Sequence, residues 1–214
     1  PTEMPADAGT GLNSDAQAWR IPATIGGCRI LEEIGRGGMG IVYKAWQTGV
    51  NRKVAIKLLY PSASGGTSIK QFQAEAEATG RLQHPGIVQV HSAGQEQNSR
   101  YLIMEFVDGP NLEQFIGEQI LSGHETARIA LEISQALAAM HANGVIHRDI
   151  KPANILIAKG GHPKIADFGL ARLEDSGLSM TATGTVVGTP SYMSPEQARG
   201  DVRSIGPAAD IYAL

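Results

Sequence analysis

Eight residues in the middle of the chain, His147-Arg148-Asp149-Ile150-Lys151-Pro152-Ala153-Asn154, put a carboxylate, a cation and a carboxamide on one short polar stretch. Asp149 can accept a proton from a hydroxyl, Lys151 can stand beside a phosphate in transit, and Asn154 can offer an oxygen to a hard cation such as Mg²⁺. Taken alone, Asp-x-Lys with a nearby Asn is also an ordinary surface loop. Three further clusters carry related chemistry. Gly35-Arg36-Gly37-Gly38-Met39-Gly40-Ile41-Val42 has the spacing G-x-G-x-x-G-x-V, in which residues without Cβ let backbone amides approach phosphate oxygens. Val54-Ala55-Ile56-Lys57 ends an apolar run with a cation. An isolated lysine there would snorkel from a half-buried strand, but Glu75 on the following helical pattern can pair with it. Asp167-Phe168-Gly169 supplies another carboxylate and a glycine for a sharp exit, and by itself reads as a turn.

These clusters need elements to position them. Residues 1–24, dominated at the start by Ala, Gly, Asp, Thr and Pro, read as a flexible lead-in. From Arg29 to Gln47 two apolar runs flank the glycines, which predicts a hairpin. A strand-to-strand turn is not the strand-to-helix dinucleotide fingerprint, and without a following Gly-Lys-Ser/Thr it is not a Walker loop. A third run, Lys53 to Tyr60, stops at Pro61. Ser68 and Gln71 then have capping-box spacing, with Phe72, Glu75 and Leu82 at helical intervals. Ile87 to Val90 and Tyr101 to Met104 read as two more strands, joined by a polar turn from Gln95 to Arg100. Five strands and one helix predict an antiparallel sheet lobe over residues 25–107.

After the turn signal Asp108-Gly109-Pro110 the character changes. Asn111 with Gln114 can cap a short helix, and Ser122 with Glu125 a longer one that runs to His141 and ends at Asn143-Gly144. Apolar residues cover more than one stripe of that helix, so it is expected to be largely buried. The fold class is therefore α+β, with an α lobe over 108–214.

The totals exclude several classes. A chain of 214 residues, 42% hydrophobic, suffices for one sizeable domain or two small lobes. A net charge of −3 gives no basic footprint, which argues against nucleic acid and a membrane surface. The lone Cys28 cannot form an internal disulfide and reads as a small apolar strand residue. Neither a signal-peptide pattern nor a run near the roughly 18 apolar residues of a membrane helix occurs. Starting at Pro1 and stopping at Ala213-Leu214 within an apolar pattern, the chain is expected to be a fragment.

The ordered set G-x-G-x-x-G-x-V, V-A-I-K, H-R-D-I-x-x-x-N, D-F-G and S-P-E resembles the protein kinases. The wording at Gly38-Met39 and at Ser194-Pro195-Glu196-Gln197-Ala198 is most similar to the bacterial, eukaryote-like Ser/Thr protein kinases. The resemblance covers Ile25 to Leu214 and implies a bilobal kinase fold with a truncated C-lobe. It implies ATP and Mg²⁺ as cofactors and γ-phosphoryl transfer to Ser/Thr hydroxyls of protein substrates. On the matching positions, Gly35, Gly37 and Gly40 would cover ATP, and Ile34, Val42, Ala55 and Leu156 would enclose adenine. Lys57 would hold the α/β-phosphates and pair with Glu75. Met104 would gate the pocket, and the backbone of Glu105, Phe106 and Val107 would meet adenine. Asp149 would be the base, Lys151 before Pro152 the mark of a Ser/Thr kinase, and Asn154 and Asp167 the metal ligands.

Regulation is implied too. Arg148 would receive a phosphate from Thr181, Thr183 or Thr185, of which Thr183 fits the family spacing best, while Thr189 is expected to be structural. Asp210 would open a central helix and brace the catalytic loop, and Ser194 would cap a helix with Pro195 in its first turn. Ile150 for Leu and Ser194 for Ala are small departures. The incomplete C-lobe is expected to leave apolar surface exposed and the fragment poorly stable and weakly active alone. Further expectations are a dimer competent for trans-autophosphorylation, a cytoplasmic kinase domain, no membrane segment within the fragment and a membrane anchor outside it. A nucleotide-binding pseudokinase scaffold is the alternative; intact Lys57, Asp149, Asn154 and Asp167 oppose it. A small-molecule phosphotransferase is opposed by Lys151-Pro152 and the Gly188 to Glu196 segment.

Overall fold

The structure, a computed structural model, describes residues 22–38, 40–60, 69–96, 99–167 and 190–214, apart from the side chains of residues 71, 75, 78, 190 and 202. An antiparallel sheet opens the fold: β1 (Thr24–Ile25), β2 (Cys28–Gly37), β3 (Gly40–Gln47), β4 (Arg52–Leu59), β5 (Val90–Glu96) and β6 (Ser99–Glu105), in the order β1-β2-β3-β4-β6-β5. Helix α1 (Ile69–Gly80) lies between β4 and β5. The glycine-rich hairpin forms as expected, its turn closed by the Gly37–Gly40 pair.

Register sorts the side chains. Val42 pairs with Lys57, Lys44 with Ala55, Ala55 with Met104 and Lys57 with Leu102. Because strand side chains alternate, these six residues share one face. The opposite face carries Ile41, Tyr43, Ala45, Val54, Ile56, Leu58 and Ile103, which form their own core with Ile25 and Cys28. Cys28 is fully buried there, in the apolar strand position expected of it.

The first face instead joins a core that continues into the helical region. Ala55, Leu102 and Met104 cluster with Phe72 of α1, with Ile87 and Val88, and with Ile129, Ile133, Ala136, Leu137 and Met140 of α3 (Gly123–Ala142). The short hairpin β7 (Ile155–Ile157) and β8 (Pro163–Ile165) adds Ile155 and Ile165 to the same core.

Three expectations are corrected. The sheet has six strands rather than five, the extra one being the two-residue β1. The strand expected at Ile87 to Val90 begins only at Val90 and runs through Glu96, and the next begins already at Ser99. Ile87 and Val88 are apolar because they pack at the junction, where Val88 N–H donates to Ile165 O at 2.9 Å. Helix α3 buries a single stripe, Ile129, Ile133, Ala136, Leu137 and Met140, while Leu131 is 58% exposed. Its apolar excess therefore does not translate into burial all round.

The caps are as the spacing predicts. Helix α2 (Leu112–Glu118) starts with a reciprocal Asn111–Gln114 box and α3 with a Ser122–Glu125 box. Gly109 ahead of them is required sterically, since a Cβ there would run into the Ile157 carbonyl. Two short helices close the described chain, α4 (Pro195–Ala198) and α5 (Pro207–Ala213). Large apolar side chains are exposed at Ile120, Ile211, Tyr212 and Leu214. Among the described residues no helix is long and apolar enough to cross a membrane.

Candidate active site

Helix α3 ends on Gly144 at φ 71°, and the chain drops directly into the polar loop. Its first residue, His147, is fully buried. The Asp149 amide donates to His147 Nδ1 at 3.2 Å, so Nδ1 is the acceptor and the ring proton sits on Nε2, which donates to Ala166 O at 2.9 Å. Burial holds this imidazole below the usual histidine range, keeping it neutral for that arrangement. Asp210, 1% exposed in the first turn of α5, receives the next contacts. Its Oδ2 accepts from His147 N–H at 2.9 Å and His141 Nε2 at 2.7 Å, and its Oδ1 from Arg148 N–H at 2.7 Å. This is the brace expected of Asp210.

Arg148 has φ 69°, a left-handed conformation that a non-glycine residue holds only when its surroundings impose it. Beyond it, Asp149 is half-exposed and ringed by contacts. Lys151 Nζ lies 3.0 Å from Oδ1 and 2.8 Å from Oδ2, while Asn154 Nδ2 donates to both Asp149 O and Oδ2 at 2.8 Å. Ile150, 2% exposed, fixes the loop to the core from below. With the Asn154 amino group committed to Asp149, its carbonyl oxygen is the chemistry it has left to offer a cation.

On β4, Lys57 is 6% exposed and its Nζ sits 3.0 Å from Asp167 Oδ1. Asp167 has φ 62° and directly follows Ala166, whose carbonyl His147 holds. The side chain of Glu75 lies outside the description, so the expected Lys57–Glu75 pair does as well. Phe168, Gly169, Thr181, Thr183, Thr185 and Thr189 also lie outside the described residues, as do Trp19, Ile21 and the Ser68 cap.

The hairpin glycines divide into two kinds. A Cβ on Gly40 would collide with the Leu58 carbonyl, so this glycine serves the packing of β3 on β4. A Cβ on Gly37 or Gly38 would meet nothing within 4 Å, and neither has positive φ. Nothing in the fold asks for those two, which is the pattern expected where open backbone must admit a bulky anion.

Ala55 and Met104 are buried in one apolar cluster, and Val42, Val107 and Leu156 pack against it half-buried. Ile34 stands apart, 47% exposed at a bulge between Glu33 and Gly35. In the linker, the Glu105 amide already donates to Gln89 O at 2.8 Å, so Glu105 can turn only its carbonyl toward a ligand. Its carboxylate is held by Lys164 Nζ at 2.7 and 2.9 Å. Asn154 and Asp167 offer hard oxygens, which suit Mg²⁺ bound by few protein ligands beside phosphates.

Two contacts had no counterpart in the sequence reading. Lys164 reaches back to the linker, and Gln197 Nε2 donates to Arg148 O at 2.6 Å. Gln197 stands three residues after the Ser194 cap, at the box position, which was the available signal.

Comparisons with known proteins agree with this geometry. The family described as "Protein kinase domain" matches residues 28–214. The chain is 42% identical over 189 residues to the probable serine/threonine-protein kinase PknB of Lactococcus lactis, covering 87% of this chain and 30% of that protein. It is 40% identical over 206 residues to the serine/threonine-protein kinase PknA of Mycobacterium tuberculosis, covering 91% of this chain and 46% of that protein. Thus the chain spans less than half the length of these relatives. Among solved structures, the kinase domain of Mycobacterium tuberculosis PknI superposes with a TM-score of 0.71 at 30% identity, covering 89% of this chain and 71% of that one.

Proposed function

The chain belongs to the protein kinase family, and from that premise we propose that it is an ATP- and Mg²⁺-dependent protein Ser/Thr kinase. The observation that carries the reading is the hydrogen-bonded cluster of Asp149, Lys151 and Asn154 on a buried, braced loop, facing the Lys57–Asp167 pair. Similarity to bacterial kinases named for serine and threonine supports the acceptor class.

In this reading Asp149 orients the acceptor hydroxyl and takes its proton as the oxygen attacks the γ-phosphorus in line. The new O–P bond forms as the bond to the β,γ-bridging oxygen breaks, and ADP leaves with that electron pair. Lys151, held beside Asp149, neutralises charge on the phosphoryl group in transit. Lys57 holds the α/β-phosphates with Glu75 behind it. Gly35, Gly37 and Gly40 cover the phosphates, and Ile34, Val42, Ala55, Met104, Glu105, Val107 and Leu156 receive the base. Asn154 and Asp167 would hold Mg²⁺, which would neutralise phosphate charge during transfer.

The division at 107/108 into sheet and helical lobes belongs to this reading, as does Arg148 receiving a phosphate from Thr181, Thr183 or Thr185. Protein substrates, a dimer for trans-autophosphorylation, a cytoplasmic kinase domain and anchoring outside this segment complete it. The test is phosphate transfer by the full-length protein with Asp149→Asn beside it. Loss of a positioned base lowers kcat by about 10²–10⁴, and an unchanged rate removes Asp149 from its role.

A further inference from the structure

Among the described residues three helices begin with the same reciprocal box, yet they fill its third position differently. The box of α3 uses Glu125, whose carboxylate accepts from the Ser122 amide at 3.0 Å. The box of α2 uses Gln114, and that of α4 uses Gln197. Capping needs only an acceptor at this position, so Glu and Gln serve it equally. At Gln114, which is exposed, the Oε1 accepts from the Asn111 amide at 3.1 Å, so a carboxylate could replace it there. At Gln197 the same accepting bond is present, from the Ser194 amide at 3.0 Å, but the other end of the carboxamide also works. Its Nε2 donates to Arg148 O at 2.6 Å. The Ser194 amide needs an acceptor and the Arg148 carbonyl needs a donor, so the orientation of this carboxamide is fixed by chemistry. Glutamate would keep the cap and lose the bridge.

The bridge lands on a sensitive place. The carbonyl of Arg148 and the amide of Asp149 are two ends of one peptide plane. Gln197 holds the carbonyl end, and His147 Nδ1 holds the amide end at 3.2 Å. The preceding plane is held by Asp210 through the Arg148 amide. Between the two planes stands Arg148 at φ 69°, which needs such restraint. Rotating the Arg148–Asp149 plane would swing the Asp149 side chain.

Resting on the kinase reading above, we propose that Gln197 is a positioning residue for the catalytic loop, its carboxamide coupling the α4 cap to the peptide plane that aims Asp149. The segment leading into α4 is thereby tied to the reacting carboxylate. It touches no reacting atom itself, so its loss lowers turnover and leaves nucleotide binding alone.

The experiment compares Gln197→Glu with Gln114→Glu in the full-length protein. It measures kcat on dephosphorylated casein, KM for ATP, thermal melting and hydrogen exchange of the 145–150 segment. Expected for Gln197→Glu is a kcat roughly 10- to 100-fold lower, the scale of a misplaced catalytic group, with KM for ATP within about twofold. Exchange of the 145–150 amides becomes faster, and the melting midpoint falls by about 2–10 °C for the one bond lost while the cap is retained. Gln114→Glu changes none of these. Unchanged kcat and unchanged exchange in Gln197→Glu overturn the proposal. A kcat loss explained by a lower melting midpoint, without a local change in exchange, overturns it too, leaving Gln197 a purely structural residue. A wild type that transfers no phosphate to casein or to itself refutes the kinase reading, and the exchange comparison then still decides whether Gln197 restrains the loop.

Discussion

The glycine-rich hairpin and the loop at 147–154 are held in opposite ways. The hairpin between β2 and β3 is restrained by its own ladder and by exposed side chains, with Arg36 bonding Glu33 at 2.7 and 2.9 Å and Tyr60 at 3.2 Å. The loop at 147–154 is restrained by buried groups brought from afar: Asp210 on α5, Gln197 on α4 and the Ala166 carbonyl beyond β8. A region that must open and close on a ligand is drawn from weakly restrained structure, and a region that must aim one carboxylate is over-determined. In the phosphoryl-transfer reading the contrast is what the chemistry requires, because catalysis there is mostly positioning.

The largest effect expected is at the brace. Asp210→Ala leaves the His147 and Arg148 amides without their buried acceptor, at about 1–3 kcal/mol each. A loss of about 2–6 kcal/mol in chemical denaturation, together with loss of turnover, is predicted. Asp210→Asn, which keeps one acceptor oxygen, falls between wild type and Ala. If Asp210→Ala melts like wild type, the loop is not held from outside.

The hairpin itself gives a smaller and split effect. Gly40→Ala forces β3 off the Leu58 carbonyl and is predicted to destabilise by about 1–3 kcal/mol. Gly38→Ala meets open space, so stability stays within about 0.5 kcal/mol of wild type while the KM for ATP rises severalfold. Equal stability losses at both positions would erase the distinction between a packing glycine and a ligand-facing one.

The smallest effect is a pH slope. Burial lowers the His147 pKa, so the folded state keeps it neutral where the unfolded chain takes a proton near pH 6.5. Its contribution is complete above that pH and declines as pH falls below it, by at most about 1.4 kcal/mol per pH unit. His91 is shifted in the same direction, by burial and by Arg52, and adds to the slope. The depressed carboxylates Glu125 and Glu132 lose their contributions only at lower pH. Melting scans between pH 8 and 5.5 should therefore decline, and less so in a His147→Gln variant; identical slopes would mean His147 titrates normally.

This contrast also explains what the sequence discloses. The hairpin, the V-A-I-K strand, and the boxes at Asn111–Gln114 and Ser122–Glu125 are local patterns, and each forms where its spacing says. The family resemblance supplied the loop's chemistry and the Asp210 brace. The box spacing of Ser194 and Gln197 is local, but the partner that the Gln197 carboxamide finds, Arg148, is 49 residues away and nothing nearby in the chain points to it. The misplaced strand at Ile87 to Val90 has a related cause. Its apolar run answers to burial and to a single parallel bridge between Ile87 and Ile165 rather than to the sheet, while Ala93 and Gly94, poor strand formers, are drawn into β5 by the β6 ladder. In α3 the buried residues keep helical spacing, Ile129, Ile133, Ala136, Leu137 and Met140, and Leu131 falls on the opposite face, so the count of apolar residues, and not their periodicity, overstates the burial.

The most direct measurement is native-state hydrogen exchange on the full-length protein, with and without ATP and Mg²⁺. The amides of His147, Arg148 and Asp149 should exchange only through global unfolding in both conditions, whereas those of Gly37 and Gly38 should exchange quickly and slow when nucleotide is added. Loop amides that exchange as fast as the hairpin's, or that become protected only with nucleotide, would contradict an active-site loop aimed in advance by Asp210 and Gln197.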